Sequence, residues 1–257
     1  MSMHQEAINE SRRLDEEGRA RDAVAVLSDA IETDPCGELY FERGCLHESL
    51  EDFSSAFDDY EAATGLAKNV MRYWVAIGRL LHSKMGEPGS AVAYYRVAIL
   101  RDPTSAIPHQ DICIAYISTE CFEAAWNHAE IARELAPTDS MTHYCLGQCH
   151  VTRGEYLEAM QQFQEAVSID DGRYSYWLAL GDSNYRLGNI DESRRNFERA
   201  LEINKSVIAF VGLAKSFINM KEPAKAIENL NDARALVSGE VDEVLVDAHL
   251  KRAQLLL

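Results

Sequence analysis

The sequence predicts an all-α protein, a solenoid of about seven helical pairs that ends in a capping helix. A pattern of apolar, aromatic and small residues returns about every 34 residues along almost the whole chain. Apolar residues follow helical spacing within each copy, and the 257 residues contain only six prolines that would interrupt helices. One helical pair cannot bury its apolar face alone, so the copies are expected to stack on one another.

The sixth copy shows the pattern most completely. Trp177 is followed by Leu180 and Gly181, and after a turn the second helix carries Phe197 and Ala200. Residues at these spacings fall on one face of a helix and fill the volume between neighbouring helices. Read in chain order, the same pattern places the copies at about 4–36, 37–70, 71–105, 106–139, 140–173, 174–206 and 207–240.

Small residues occupy two kinds of position in each copy. Gly181 lies inside a helix, where glycine is about 1 kcal/mol less favourable than alanine. We interpret it as the point where the two helices of a pair touch, because a side chain would keep them apart. Gly188 lies at the turn, where glycine adopts a left-handed conformation most easily. The residues equivalent to Gly181 in the other copies are Ser11, Gly44, Gly78, Cys113, Gly147 and Ala214.

The pattern W-x2-L-G-x2-Y, followed by A-x3-F-x2-A and a proline, resembles the signature of the tetratricopeptide repeat (TPR) family. The resemblance covers nearly the whole chain, with the copies in register. It implies that each copy is a pair of antiparallel helices and that residues 1–257 form one right-handed superhelical α-solenoid domain. It also implies a protein-interaction scaffold or adaptor, in which the first helices of the copies line a concave groove.

The C-terminal segment 241–257 lacks the repeat signature but keeps helical spacing of apolar residues. We interpret it as a capping helix, because a terminal repeat needs something to cover its apolar face. Its apolar end indicates either that the chain continues in a longer protein or that this end meets a partner. The residues at helical spacing are Val241, Val244, Leu245, Ala248 and Ala253.

Charge and composition narrow the classes of partner. The chain carries 25 Lys and Arg against 42 Asp and Glu, a formal net charge of -17. This argues against sequence-independent nucleic-acid binding and against docking on anionic lipid, both of which depend on basic residues. A protein partner that is neutral to basic is expected instead. No apolar stretch approaches the length of a membrane span, and the N-terminus lacks the apolar core of a secretory signal.

The six cysteines lie inside the helical patterns rather than at turns. A disulfide framework is therefore not expected, and a reducing, cytoplasmic setting is favoured. The segment HYCLGQCH (143–150) has two cysteines four residues apart, but no second cluster completes a zinc site. We interpret these cysteines as packing residues and expect no cofactor. No motif of nucleophilic, phosphate-binding or metalloprotease catalysis is present, so an enzyme is not expected.

The resemblance implies where a partner would bind. In the family the groove is lined by the second, fifth, ninth, twelfth and thirteenth positions of each first helix. These positions are mixed and charged in the first three copies, but from the fourth copy onward they are mainly apolar with interspersed polar groups. The candidate residues are Ile107, Gln110, Ile114, Ile117, Met141, Tyr144, Gln148, Val151, Leu178, Asp182, Tyr185, Arg186, Val211, Lys215 and Ile218.

An apolar surface of this kind predicts a site for an apolar peptide or an amphipathic helix, used in complex assembly or by a chaperone-like subunit. The alternative is that a tight superhelix turns these residues onto neighbouring repeats or the cap. Self-assembly is a second possibility, with an end or the convex face of one copy inserted into the groove of another. A third is that the chain is the TPR region of a larger regulator.

The second copy is the most acidic, which usually indicates a solvated helix face and less often a patch for a basic partner. One TPR subclass holds acidic tails with a clamp of Lys and Asn from successive repeats. The equivalent positions here do not supply that chemistry, so binding of acidic tails is disfavoured. The residues found there instead are Phe41, Cys45, Ala76, Ile107 and Asp111.

Overall fold

In the computed structural model, residues 3–237 and 239–256 are described, and their regular secondary structure is helical throughout. Fifteen α-helices follow one another within these ranges. None of the helices in these ranges is long and apolar enough to cross a lipid bilayer. In chain order they are α1 (Met3–Glu16), α2 (Ala20–Thr33), α3 (Gly37–Ser49), α4 (Phe53–Leu66), α5 (Met71–Ser83), α6 (Pro88–Arg101), α7 (Ile107–Ser118), α8 (Phe122–Leu135), α9 (Ser140–Thr152), α10 (Tyr156–Ile169), α11 (Tyr174–Leu187), α12 (Ile190–Ile203), α13 (Val207–Asn219), α14 (Pro223–Ala235) and α15 (Glu240–Gln254).

Local chemistry explains where several helices begin. Asp139 accepts a hydrogen bond from the backbone N–H of Thr142 at 3.1 Å and so caps α9. Ser206 caps α13 in the same way, because its hydroxyl accepts from a backbone N–H that has no partner within the helix. Three further helices carry a proline in the first turn, where the missing N–H costs nothing. These prolines are Pro88, Pro108 and Pro223.

The first fourteen helices pack as consecutive pairs, α1 with α2 through α13 with α14, which is the helix-turn-helix repeat that the sequence predicts. The chain divides into two compact units, Met1–Leu135 and Ala136–Leu257. The first unit holds α1 to α8 and the second holds α9 to α15. The assignment of residues 1–257 to a single domain stays a prediction.

Each unit has an apolar core between its helices. In the first unit, Tyr60 and Tyr95 lie at the centre of their helical pairs and are almost completely buried. In the second unit, Phe163 and Phe197 take the equivalent places. The other large core side chains of the two units include Leu27, Leu39, Ile77, Leu80, Ile112, Tyr176, Leu180, Leu230 and Val246.

The small residues in the first helices allow this packing, as predicted. A Cβ atom at Gly44 would lie 2.6 Å from the Tyr60 ring, and one at Gly181 would lie 2.9 Å from the Phe197 ring. Trp177 contributes less to the core than its place in the signature predicts, because it is only half-buried. Its indole N–H donates to the backbone oxygen of Asp171 at 2.8 Å, so it fixes the preceding turn instead.

The turns within the pairs use left-handed backbone conformations. Gly188 has φ of +84° after α11, as expected for a glycine that ends a helix. Other residues hold the same kind of turn in other pairs, although a side chain makes the left-handed conformation less favourable by about 1–2 kcal/mol. They are Glu51, Glu120 and Lys221, with φ of 61°, 58° and 61°.

The C-terminal helix α15 covers the last repeat, as predicted for a capping helix. Its Val246 and Ala253 are completely buried and belong to the same apolar cluster as Leu230 of α14. The helix packs against both α14 and α13. Since α13 is the first helix of the seventh repeat, α15 also reaches the face on which the groove residues were predicted.

Candidate functional site: the groove of the second unit

A cavity of about 340 Å³ lies in the second unit, and we call the cavity with its rim the groove. Its walls come from α9, α11 and α13, which are the first helices of three consecutive repeats. Each helix contributes residues about 34 positions apart in the sequence, which is why they align. Seven of the residues predicted from the sequence line it: Tyr144, Gln148, Val151, Leu178, Asp182, Val211 and Lys215.

The floor of the groove consists of core residues and of α15. Phe163 and Phe197, which fill the helical pairs, also line the cavity, together with Gly212 of α13. Leu245 and His249 of α15 line it as well. Sequence reasoning did not assign these five residues to the groove. The two phenylalanines were recognised as scaffold residues only, and α15 carries no repeat signature from which a groove position can be read.

Tyr144 contacts both the floor and a wall of the groove. Its ring centroid lies 5.7 Å from that of Phe163 and 5.0 Å from that of Tyr176. Its hydroxyl accepts a hydrogen bond of 2.7 Å from Gln148. Burial raises the pKa of Tyr144 to about 12, so the phenol stays neutral at physiological pH. This part of the groove is therefore uncharged, and the Tyr144 hydroxyl and the Gln148 amide are polar groups within it.

The rim of the groove carries charges of both signs. The carboxylate of Asp182 lies 3.5 Å from Arg186 and 3.9 Å from Lys215. The Lys215 ammonium also lies 4.5 Å from the centroid of the Tyr185 ring, and the Tyr185 hydroxyl accepts from Asn219 at 2.8 Å. One carboxylate lies near two cations, so the charges are compensated only in part and the three side chains keep a formal charge of +1. The rim is thus polar, with a small net positive charge.

His249 closes one side of the groove. Burial lowers its pKa, and the nearby charges of Lys215 and Arg252 lower it further. The imidazole is therefore neutral at pH 7. Among the described residues, its Nδ1 is a buried polar atom without a hydrogen-bond partner.

The other predicted residues of the second unit lie around the cavity rather than in it. The Met141 sulfur accepts from the Tyr176 hydroxyl at 3.7 Å, so this side chain packs on the core. Tyr185 and Arg186 belong to the rim. Ile218 is only 6% exposed and lines a different recess beside the end of α15. The groove position of Ile218 is covered because α15 packs over α13.

The predicted residues of the fourth repeat, in α7, lie in the first unit. Gln110 is 5% exposed and thus largely inaccessible to a partner, whereas Ile114 and Ile117 are half-buried. Ile107 is 44% exposed and lines a second recess of about 360 Å³ within that unit. Further residues of this recess are Phe41, Cys45, Tyr60, Arg72, Val75 and Arg79.

In the first unit, several charged side chains form ion pairs between the first helices of neighbouring repeats. Arg72 also lies over the Phe41 ring, 5.0 Å from its centroid. Several acidic residues of the second repeat are therefore already paired and do not form a free acidic patch. The pairs between neighbouring first helices are Arg12–Glu42, Arg72–Glu38 and Arg79–Asp111.

In the segment HYCLGQCH, the cysteines pack in the core and the histidines form hydrogen bonds with neighbouring side chains. Cys145 and Cys149 are buried, as expected for packing residues. The two histidines point to different neighbours. Within the described ranges, no group of three or more metal-ligating side chains comes together. The histidine contacts are His143 Nδ1 to Gln162 at 2.9 Å and His150 Nδ1 to Glu155 at 2.7 Å.

Comparison with known proteins supports the repeat pattern independently. Family models described as "Tetratricopeptide repeat" match residues 8–69, 72–105 and 174–206, which together span half of the chain. The chain belongs to the tetratricopeptide repeat family. The seven helical pairs of the structure are therefore TPR motifs, and the groove is built from the first helices of the last three.

Other TPR proteins resemble the chain over part of their length. Anaphase-promoting complex subunit 3 of Schizosaccharomyces pombe is 25% identical over 150 residues, which is 55% of this chain and 22% of that protein. BBSome complex member BBS4 of Bos taurus is 22% identical over 184 residues, which is 71% of this chain and 35% of that protein. The chain thus spans well under half the length of these two relatives.

Solved TPR structures share the fold. The crystal structure of the APC/C hetero-tetramer Cut9-Hcn1 matches 95% of this chain and 48% of that chain, with a TM-score of 0.83 and 17% identity. A TPR protein from Parabacteroides merdae matches 98% of each chain, with a TM-score of 0.76 and 16% identity. At these identities the likeness concerns the fold alone.

Proposed function

We propose that this chain is a protein-interaction scaffold that binds an apolar peptide or an amphipathic helix of another protein in the groove of the second unit. The groove itself carries the proposal, because three consecutive TPR motifs supply its walls and two phenylalanines supply its floor. Ligand sites commonly combine an apolar cavity with a few polar groups that fix orientation. The rim charges and the Tyr144 hydroxyl are such groups.

The chemistry of the groove defines the expected partner. Leu178, Val211 and Ile208 present aliphatic surface, so the partner is expected to insert one or more apolar side chains. The formal net charge of -17 favours a neutral to basic segment over an acidic one. Relatives that are named as members of multi-subunit complexes support a role in complex assembly.

The state of the six cysteines indicates the cellular compartment that we expect. All are free thiols, and three of them are buried in the helical core. Thiols in this state persist in a reducing environment, so we propose that the chain acts in the cytoplasm. The proposal includes no catalytic step and no cofactor.

A peptide library displayed on phage tests the proposal without a known partner. Peptides selected on the wild-type chain are synthesised with a fluorophore, and their Kd is measured by anisotropy. Ile208 lines the groove and is 59% exposed, so Ile208→Asp removes apolar surface without opening the core. We expect Ile208→Asp to weaken binding at least about tenfold, which corresponds to about 1.4 kcal/mol.

Leu100→Asp is the matched control. Leu100 is also an aliphatic side chain on a helix, it is 78% exposed, and it lies on α6 of the first unit. This variant should bind the selected peptides as tightly as the wild type. If no peptide is enriched, or if Ile208→Asp binds them unchanged, the groove is not the binding site.

A further inference from the structure

Helix α15 has two apolar faces, and only one of them is covered. Val246 and Ala253 are completely buried against the last repeat. On the other side, Val241 and Val244 of the helix and Leu255, directly after its end, are 84%, 65% and 80% exposed. Large apolar side chains gathered on one exposed helix face mark an interaction surface more often than isolated ones do.

The exposed residues of this face follow a regular spacing. Val241, Val244, Ala248, Lys251 and Leu255 are alternately three and four residues apart, and all are exposed. We call these five residues the outer stripe. This is the heptad spacing that keeps one side of a helix in contact with a partner helix along its length. The outer stripe is therefore suited to another helix rather than to an extended peptide.

The charges of α15 are complementary to those of a second, antiparallel copy. The acidic residues Asp242 and Glu243 lie in the first half of the helix and Asp247 at its midpoint, whereas the basic residues Lys251 and Arg252 lie in the second half. An antiparallel pair sets the acidic half of each copy against the basic half of the other. A parallel pair would oppose like charges, which is unfavourable.

The middle of the outer stripe allows close approach. Ala248 is the smallest residue of the stripe and lies seven positions from both Val241 and Leu255. Two helices that cross in opposite directions just after Ala248, beside His249, bring Asp247 of one copy closer to Lys251 than to Asp247 of the other. Within its own chain Asp247 lies 3.7 Å from Arg234, and such a contact between exposed side chains contributes little.

A recess at the end of α15 adds to this surface. It has a volume of about 610 Å³ and lies between the end of α15 and the turn that joins α13 to α14. In the antiparallel arrangement, Val241 and Val244 of the second copy lie beside Leu255 at this recess. Its lining residues are Ile218, Asn219, Lys221, Pro223, Arg252, Leu255 and Leu256.

We propose that two copies of this chain associate through the outer stripes of α15, antiparallel about a two-fold axis near Ala248. The interface is isologous, because the same residues contribute from both copies. One helix pair with an adjoining recess is smaller than a standard stable interface, so the dimer forms in the micromolar range. This proposal does not depend on peptide binding in the groove.

Sedimentation equilibrium from about 1 to about 300 µM measures the association directly. The average mass should rise from that of the 28.8 kDa chain towards twice that value. Ala248→Arg places a long charged side chain at the crossing point and should weaken dimerisation at least about tenfold. Ala25→Arg is the matched control, since Ala25 is an exposed alanine within α2, and it should dimerise like the wild type.

Exchanging the charges at positions 247 and 251 distinguishes the specific dimer from nonspecific association. Lys251→Glu alone opposes acidic residues across the two-fold axis and should weaken the dimer. The double variant Asp247→Lys with Lys251→Glu restores opposite charges between the copies and should return the Kd to the wild-type range. A chain that is monomeric at every concentration, or a double variant as weak as Lys251→Glu alone, overturns the proposal.

Discussion

The ring of Phe197 lies against the backbone of Gly181. A Cβ atom at position 181 would be 2.9 Å from Cε1 of this ring. The same edge of the ring also meets Gly212, where a Cβ atom would be 2.5 Å from the same carbon. The ring therefore contacts both α11 and α13, and it forms part of the floor of the groove. Two glycines thus connect the packing of the sixth repeat to the floor of the groove.

Gly181→Ala tests this packing. Alanine favours a helix by about 1 kcal/mol over glycine, so propensity alone predicts a more stable protein. Because the Phe197 ring is buried and closely packed against both glycines, we expect the added methyl group to lower the free energy of unfolding by about 1–3 kcal/mol instead. The closer contact at position 212 makes Gly212→Ala the more destabilising of the two. Urea unfolding followed by circular dichroism measures both.

Gly65→Ala provides the control for the glycine variants. Gly65 lies in the last turn of α4, and a Cβ atom there would have no neighbour within 4 Å. We expect this variant to be more stable by about 0.4–1 kcal/mol, because alanine restricts the unfolded chain. If Gly181→Ala stabilised the protein as Gly65→Ala does, the tight contact with Phe197 would not exist.

The sequence predicts the scaffold well because its period repeats. Gly181 and Phe197 stand at fixed positions, so the close helical contact can be read from spacing alone. Gly212 cannot be predicted from the spacing, because it lies two residues before the small position of its own repeat, Ala214. The wall residues Tyr144 and Leu178 were predicted from their positions in the first helices, and both line the cavity.

The remaining parts of the site depend on contacts that no period encodes. His249 lies in α15, which has no repeat equivalent, so its place in the groove follows only from how α15 packs on α13. The same packing covers Ile218, which position alone assigns to the groove. Gln110 is buried although its position predicts an accessible side chain. The position of a residue in its repeat predicts the face of the helix on which it lies. Whether the side chain is accessible there depends on the side chains that pack around it.

The ion pair between Arg43 and Asp59 gives a second prediction. The two side chains lie 2.6 Å apart, with only 6% of the aspartate side chain exposed, and Arg43 also donates to Ser28. The hydrogen bond from Arg43 to Asp59 raises the pKa of the guanidinium. Arg43→Met removes the guanidinium from the buried carboxylate, whose other basic neighbour, His47, lies 3.7 Å away. We expect a loss of about 2–4 kcal/mol in the free energy of unfolding, measured by urea unfolding.

The double variant Arg43→Met with Asp59→Leu removes both charges. Replacing a buried ion pair by apolar residues of similar size is often neutral. We therefore expect the double variant to recover most of the stability that Arg43→Met loses. An equal loss in both variants would mean that Arg43 acts mainly through packing, for example over the Tyr40 ring 5.4 Å away.

Two facing histidines make the first unit sensitive to acid. His109 Nδ1 and His128 Nδ1 lie 2.9 Å apart, so one nitrogen must donate and the other must accept. Burial, followed by the charges of His109 and Arg96, lowers the pKa of His128 from 6.5 to about 4. Between these values the unfolded chain binds more protons than the folded chain. The free energy of unfolding therefore falls as the pH decreases from about 6.5 to about 4.

Thermal unfolding at pH 7 and pH 5 measures this effect. His128→Gln removes the titrating group and should reduce the drop in Tm between the two pH values. His143→Gln is the control, because His143 bonds the side chain of Gln162 and faces no second histidine. It should keep the wild-type drop. An unchanged pH dependence in His128→Gln would assign the acid sensitivity to other groups.

The groove predicts the thermodynamic signature of peptide binding. Since its cavity is lined by Leu178, Val211, Phe163 and Phe197, a bound peptide should bury apolar surface, which gives a negative heat-capacity change. Isothermal titration calorimetry at several temperatures measures this change with a peptide selected on the wild type. Ile208→Asp should bind more weakly and with a smaller heat-capacity change, because less apolar surface leaves water.

Salt concentration distinguishes this mode of binding from an electrostatic one. Asp182 lies 3.5 Å from Arg186 and 3.9 Å from Lys215, so the rim keeps a formal charge of only +1 and attracts a peptide weakly. Raising the ionic strength from 50 mM to 500 mM should therefore change the Kd less than about threefold. A much larger loss of affinity, with a heat-capacity change near zero, would show that charge rather than apolar contact holds the peptide.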